Sequence, residues 1–525
     1  MRRFGSYFSG FVVLISLAVI AMLPAHAGGN EVSNLYQLNC AECHGADRLG
    51  GIGPALLPEN LKRLKQKNAI GVIANGRPAS QMPAFGEQLS EIQITALTEL
   101  IYTPLESVPV WGLPEIQKNL IVHIATSELP SSPVHGADPL NLFTVVEAGD
   151  HHVTILDGDS FEPLWRFKSR FALHGGAKYS PDGRFVYLGS RDGWISKYDL
   201  YSLQIVAEVR AGINTRNIAV SGDGRYVMVA NFLPNSLVLL KADDLSPIKI
   251  WDVKDKDGVP SRVSAVYTAY PRESFVAALK DIPEVWEIFY ADNAKPVAQG
   301  FVHNYQPDQL EGEFDFGPFP MRRIKLDDYL DDFFFDQSYR HLIGAARNGK
   351  NGQVINLTVG RKIADIPLDG MPHLGSAITF EYEGREVMAT PHLRDSSVSV
   401  IDMQSWELIT KIETLGPGFF MRSHENTPYA WVDVFFGENR DAIHVIDKRT
   451  LKIIKTLRPE PGKTSGHVEF TRDGRFALVS IWEMDGALLI YDAATLEEVR
   501  RIPMQKPSGK YNVWNKITLS AGTSH

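Results

Sequence analysis

The sequence predicts an α + β multidomain chain: a small all-α domain, then an eight-bladed β-propeller. Three observations predict it. Short helix-compatible segments surround the run Cys40-Ala41-Glu42-Cys43-His44. From about residue 142, a unit of short alternating strands recurs at a spacing of roughly 40 to 46 residues. Near the end, Lys510 to Thr518 offers a strand that the first, incomplete unit lacks.

At 525 residues the chain is too long for one average core. Its formal net charge of -9 argues against nucleic-acid binding. Residues 1–27 read as a secretory signal. Arg2 and Arg3 form the basic start, Phe11 to Leu23 the apolar run, and Ala25-His26-Ala27 the cleavage site. That run is about 13 residues, short of a membrane span, and no later run approaches the length of one. The remaining chain is expected to have no membrane span.

Residues 28–105 are expected to form the first domain. Cys40 to His44 spells C-x-x-C-H, the attachment signal for c-type heme. Two thiols three positions apart add to two vinyl groups of one porphyrin, and His44 offers its imidazole to the iron. A disulfide, a redox pair or half a zinc site also uses C-x-x-C. Cys40 and Cys43 are the only cysteines, so a covalent heme c leaves no structural disulfide. Such attachment takes place outside the bacterial inner membrane, which agrees with the signal and predicts a periplasmic protein. Asn34 to Cys43 and Leu61 to Ala74 read as helices, with a turn at Asn75-Gly76-Arg77. Ser90-Glu91-Ile92-Gln93 is a capping box. It opens a helix expected to turn Ile92, Leu97, Leu100 and Ile101 inward.

This order resembles a class I c-type cytochrome over the whole segment. The resemblance implies His44 as proximal iron ligand and Met82 as distal ligand. Met82 lies 38 residues after His44, inside Met82-Pro83-Ala84-Phe85. A thioether favours ferrous iron, so a Met/His pair suits electron transfer. Two axial ligands leave no open site, which makes this domain a relay.

Residues 106–141 are rich in proline and read as an extended linker. Residues 142–525 carry the repeats. Tyr179-Ser180-Pro181-Asp182-Gly183-Arg184 is one turn of the unit, and 219–231, 380–392 and 470–482 repeat it. Units start near 179, 219, 265, 333, 379, 425 and 469, and an insertion rich in Asp and Phe lengthens the gap from 265 to 333. With about four strands each, seven full units and the partial one at 142–167 make an eight-bladed propeller.

A propeller does not name a function. The candidates are residues at strand starts and turns: His174, His341, His373, His392, His424 and His467, with Arg170, Arg191, Arg216, Arg262 and Arg422. Several stretches resemble the heme d1-binding propeller family: 170–200, 214–221, 339–349, 370–377, 389–402, 419–433 and 507–515. That family includes cytochrome cd1 nitrite reductase, the maturation protein NirF, and a c-type cytochrome acting late in heme d1 synthesis. The resemblance implies His174 as proximal ligand to heme d1 iron, and His341 and His373 as distal-side histidines. It implies Arg191 and Arg216 as partners of the macrocycle's carboxylates, which guanidinium binds bidentately; Arg422, from the arginine cluster, is a further expected cofactor-binding residue. The reductase pattern has an arginine three residues after its distal-pocket histidine; this chain has Ser376.

The covalent heme motif argues against the NirF branch, and Ala172-Leu173-His174-Gly175-Gly176 resembles the maturation branches rather than the reductase. The implied reaction is oxidation of dihydro-heme d1, bound non-covalently, to heme d1, a propionate becoming an acrylate. His424 is the expected base, His341 the expected distal iron ligand, and His373 a second base or a hydrogen bonder. Expected partners are a periplasmic electron acceptor, cytochrome cd1 nitrite reductase and NirF. The alternatives are nitrite reduction to nitric oxide, and a carrier that only holds heme d1.

Overall fold

The structure, a computed structural model, describes residues 29–50, 53–61, 64–77, 82–107, 110–170, 172–306, 309–345 and 351–519. The expected signal at 1–27 and the end of the 339–349 motif lie outside them.

The N-terminal domain is helical: Gly29–Asn39, Ala41–His44, Pro58–Leu61, Gln66–Asn75 and Glu91–Tyr102. Tyr36, Leu61, Ile73, Leu89, Ile94, Leu97 and Ile101 form its core. Both bonds of the capping box at Ser90 and Gln93 are present. One expected core residue is corrected. Ile92 is 71% exposed. The buried stripe runs through Ile94, Leu97, Thr98 and Ile101, and at 3.6 residues per turn Ile92 falls off it.

The linker is not simply extended. Leu113–Lys118 is a helix, and Ile121–Val122 adds a fifth strand to the outer edge of a propeller blade. Ile116 is buried in the apolar layer between the second and third blades. Trp111 Nε1 donates to the Arg210 carbonyl at 3.0 Å. The segment is a strap tied down along its length.

Eight four-stranded antiparallel sheets follow, counting the strap's strand as an extra. Blade 1 is Leu142–Glu147, His152–Asp157 and Pro163–Lys168, completed by Pro507–Asn512. Phe143 pairs with Asn512, and Val145 with Lys510. The closing strand therefore begins before the expected Lys510, and Val513–Thr518 is a helix instead of strand. The innermost strands of blades 2 to 8 begin at Lys178, Asn214, Val263, Asp332, Ile378, Met421 and Ser465. The insertion in blade 4 is a hairpin, Val297–Gln306 and Gln309–Asp315.

The repeated Asp-Gly turns join first to second strands. Asp182 accepts from the Arg184 N–H at 3.1 Å, and Ser221 Oγ accepts from the Tyr226 N–H at 2.9 Å. Gly183, Gly224 and Gly474 sit at φ of +77°, +72° and +73°, where a Cβ is strained. These turns share one face of the ring, the lower. The starts of the innermost strands share the upper face. There Ala55 and Leu57 of the helical domain are fully buried against Ile213 and Leu233 of blade 3.

Candidate functional site

A cavity of about 750 Å³ lies where the helical domain meets the upper face. Cys40, Cys43, His44 and Met82 line it from above; His174, Arg191, Arg216, Tyr267, His373 and Arg422 line it from below.

The upper wall is built to hold a covalent heme. His44 is nearly buried, and its Nδ1 lies 2.8 Å from the Pro54 carbonyl. That bond makes Nδ1 the donor and leaves Nε2 as the lone pair. Burial also lowers its pKa, which favours the neutral ligand form. A Cβ at residue 53 would come within 2.5 Å of the His44 ring, so only Gly53 lets the loop cross it. Cys40 and Cys43 are not bridged to each other, and burial pushes the Cys40 thiol up to about 11. Two thiols, an oriented imidazole and a thioether on one cavity fit heme c.

The lower wall presents three histidines, His174, His373 and His467, of which His174 and His373, from blades 2 and 6, stand opposite each other in a ring of eight. Their settings match. His174 N–H donates to the Gly189 carbonyl, and His373 N–H to the Pro391 carbonyl, both at 2.9 Å. Each Nδ1 donates to a carbonyl leading the next blade: His174 to Arg216 at 2.8 Å, His373 to Phe419. Each follows by two residues a left-handed backbone position, Ala172 (φ 43°) and Met371 (φ 59°). Such positions cost about 1 kcal/mol or more and persist where the surroundings impose them. Both Nε2 atoms keep a lone pair. Burial lowers the pKa of both rings, with Arg191 and Arg216 adding to the effect on His174. The His373 ring stacks on Phe419 at 4.3 Å between centroids.

Cations dominate around them. Among the described residues no hydrogen-bond partner of the Arg191 guanidinium is found, and burial, with Arg216 and Arg77 nearby, pushes its pKa down to about 9. Arg216 donates to the Ser264 carbonyl at 3.0 Å and to His174 Nε2 at 2.9 Å. Arg422 donates to the Met421 carbonyl, and Glu469 stands 3.9 Å from its Nε. Buried guanidinium groups with so little carboxylate compensation are costly alone and suit a ligand carrying several carboxylates.

Sequence reasoning missed two acids here, Asp332 in this wall and Asp433 behind it. Asp332 accepts from Tyr267 Oη at 3.0 Å and from Gly375 N–H at 2.8 Å. Asp433, pushed up to about 6 by burial, accepts from Phe419 and Phe420 N–H groups and from His467 N–H. Asp332 closes the Asp- and Phe-rich insertion and Asp433 closes the 419–433 motif; an acid ending a patterned stretch was the available signal.

Two expected site residues do not reach the cavity. His341 begins the strand whose other end, Ala345, pairs with Asp332 at the cavity. That strand carries His341 to the lower face, where Nδ1 meets Asp336 at 3.0 Å and the ring meets Trp406. It is not among the residues that line the cavity, where a distal iron ligand is needed. His424 follows the strand Met421–Ser423 and is fully buried at its lower end. Its Nδ1 accepts from Asn426 N–H at 3.1 Å, and a Cβ at Gly474 would lie 2.4 Å from it. It is sealed beside the Asp473-Gly474 turn and does not line the cavity. His392 is structural, its Nε2 2.8 Å from Ser399 Oγ. Arg170 and Arg262 are committed to Glu208 and Asp281.

Taken together, the fold and the cavity define a c-type cytochrome joined to a propeller whose cavity suits a polyanionic ligand. The cytochrome D1 heme domain model matches residues 137–311 and 312–516, and the model of subunit III of cbb3-type cytochrome c oxidase matches 28–101. The chain belongs to the cytochrome D1 heme domain family. It is 54% identical over 514 residues to a protein of Pseudomonas aeruginosa named dihydro-heme d1 dehydrogenase, covering 98% of this chain and 100% of that one. It is 23% identical to a nitrite reductase of Stutzerimonas stutzeri, covering 96% and 97%. A solved structure titled dihydro-heme d1 dehydrogenase NirN in complex with DHE superposes with a TM-score of 0.80 at 55% identity, covering 92% of this chain and 99% of that one.

Proposed function

We propose that this chain is a periplasmic dihydro-heme d1 dehydrogenase, converting one propionate of its substrate to an acrylate and passing the electrons to its own heme c. The observation that carries the reading is the pair His174 and His373, on opposite blades with matching backbone and Nδ1 hydrogen bonds, over one arginine-lined cavity. Heme c, held by Cys40, Cys43, His44 and Met82, supplies a one-electron acceptor when bound.

The chain's own residues do the rest. His174 Nε2 holds the substrate's iron once Arg216 turns from it to a carboxylate. Arg191 and Arg422 take further carboxylates. His373 is the base in place of His424: its Nδ1 is spent on Phe419, so Nε2 accepts the proton. A neutral imidazole is suited to this near pH 7. The phenyl ring stacked on it fixes its plane. At the position where the reductase pattern has an arginine, Ser376 is buried and lines the cavity. It offers no cation to a small anion, which disfavours nitrite reduction.

The external acceptor is a one-electron periplasmic carrier; cytochrome cd1 nitrite reductase and NirF are proposed as neighbours in product and substrate handling. No helix among the described residues is long and apolar enough to cross a membrane, which fits release into that compartment. The test is anaerobic addition of dihydro-heme d1 to the heme c-loaded protein. Appearance of the acrylate absorption together with reduced heme c supports the reading. Tight binding with no spectral conversion, or rapid turnover of nitrite, overturns it.

A further inference from the structure

Dehydrogenation of a propionate breaks two C–H bonds, forms one C=C bond and releases two electrons and two protons. The electrons leave one at a time through heme c to the external acceptor. The protons need their own way out, because the cavity is roofed by the helical domain and crowded with guanidinium groups. His373 takes only one proton and must shed it before it works again.

Beneath the main cavity lies a second one of about 40 Å³, lined by Lys178, Tyr179, Tyr270, Lys516 and Leu519 among others. That is room for about one water. Ala177, Tyr267 and Lys516 line both spaces, so Tyr267 is part of the partition. Its hydroxyl donates to Asp332 Oδ1 at 3.0 Å, and the other oxygen, Oδ2, accepts the N–H of Gly375 at 2.8 Å. Gly375 lies two residues after His373 in the same short loop, so the acid, the phenol and the base are fixed to one another. Below, the Lys178 ammonium sits 5.3 Å over the Tyr267 ring and has no hydrogen-bond partner among the described residues. Burial pushes Lys178 down to about 8, so it gains and loses a proton near neutral pH.

We propose that Asp332 and Tyr267 form a proton relay leading from the substrate cavity to the lower chamber over Lys178. This rests on the dehydrogenase reading above. Asp332 receives the proton shed by His373. It then donates to the Tyr267 oxygen while the Tyr267 hydroxyl hydrogen passes to water in the chamber. Each passage through Asp332 and Tyr267 moves one proton and no electrons, and two passages complete one substrate. Asp332 has a second duty, holding the His373 loop, so it is a positioning residue as well. Tyr267 joins that loop through Asp332, and removing its hydroxyl leaves the Asp332–Gly375 bond in place, so Tyr267→Phe separates the relay from the positioning.

The experiment compares the parent, Tyr267→Phe and Lys178→Met as heme c-loaded proteins, anaerobically, with dihydro-heme d1. Absorption titration reads binding, and single-turnover mixing in H2O and D2O reads conversion. Tyr267→Phe keeps the ring and loses only the hydroxyl. It is expected to bind within about threefold of the parent, to convert at least about 30-fold more slowly, and to show a changed solvent isotope effect. Lys178→Met is expected to slow conversion with binding unchanged. Tyr267→Phe turning over within twofold of the parent, with the parent's isotope effect, overturns the relay. A parent that binds but never converts overturns the dehydrogenase reading itself, which separates the two failures.

Discussion

His373 is held by one hydrogen bond and one ring stack, and both direct its free nitrogen into the cavity. Replacing it by alanine is expected to leave substrate binding nearly intact and to slow conversion about 100-fold or more, read by single-turnover absorption. Burial lowers its pKa below 6.5, so the neutral base persists at neutral pH. The rate is expected to fall only as pH drops below 6.5, and that acid limb is expected to vanish with the side chain. His424→Ala is the converse case. It sits at the sealed lower end of its strand, so conversion is expected to stay within twofold. Its loss leaves a void costing about 1 to 3 kcal/mol of stability, read by thermal unfolding. Cys40, Cys43, His44, Met82, His174, Arg191, Arg216, His373 and Arg422 were each legible as site residues in the sequence, and the fold gathers them on one cavity. His341 and His424 stand at the wrong end of their strands. A residue's distance from the strand start decides which face it reaches, and a shift of four residues carries it roughly 13 Å.

Each blade is a sheet whose inner strand starts at the site and whose first turn closes away from it. The turns were readable, because an Asp-Gly pair preceded by Ser or Thr has a backbone reason to recur. The strap was not readable, because Trp111 and Ile116 find their partners only on the assembled blades. Blade 7 carries an element-level prediction. His444 in the strand Ile443–Asp447 is buried and accepts the Leu415 N–H at 3.1 Å through Nε2, which needs the neutral ring. Burial, with Arg458 nearby, pushes its pKa down to about 4 from 6.5. The unfolded chain then binds a proton first as pH falls. Stability is full above 6.5 and declines between 6.5 and 4, by on the order of 3 kcal/mol from this group. Asp433, pushed up to about 6, works the other way: its contribution is present below the unfolded carboxyl range and lost as pH rises through 6. Denaturant unfolding of His444→Gln across that range is expected to show a shallower acid decline than the parent.

At the scale of the molecule, the cavity belongs to neither domain alone. Its roof carries the electron acceptor, its floor the substrate ligands, and the strap sets their spacing. Trp111 is half-buried, with the Arg210 guanidinium 4.8 Å from its ring centre. Trp111→Ala is expected to cost about 2 to 3 kcal/mol of docking. The measurements are protease cleavage within residues 110–140 and the rate of heme c reduction after substrate binding; the first is expected to rise and the second to fall, with heme c absorption unchanged. The ring of eight was legible from period alone. The shared cavity was not, because no spacing in the sequence states that Ala55 and Leu57 meet Ile213 and Leu233.

The ring is closed by its own last strand. Asn512 donates to Asn141 across 371 residues of chain. Contacts so remote in sequence form late, after the local ones. The cysteine pair sits in a domain whose contacts are short-range and among the first to be made. Lys506, Ser508, Tyr511 and Lys516, which line the cavity, are among the last. A chain interrupted before residue 507 thus has its electron carrier and no chamber to hold a macrocycle.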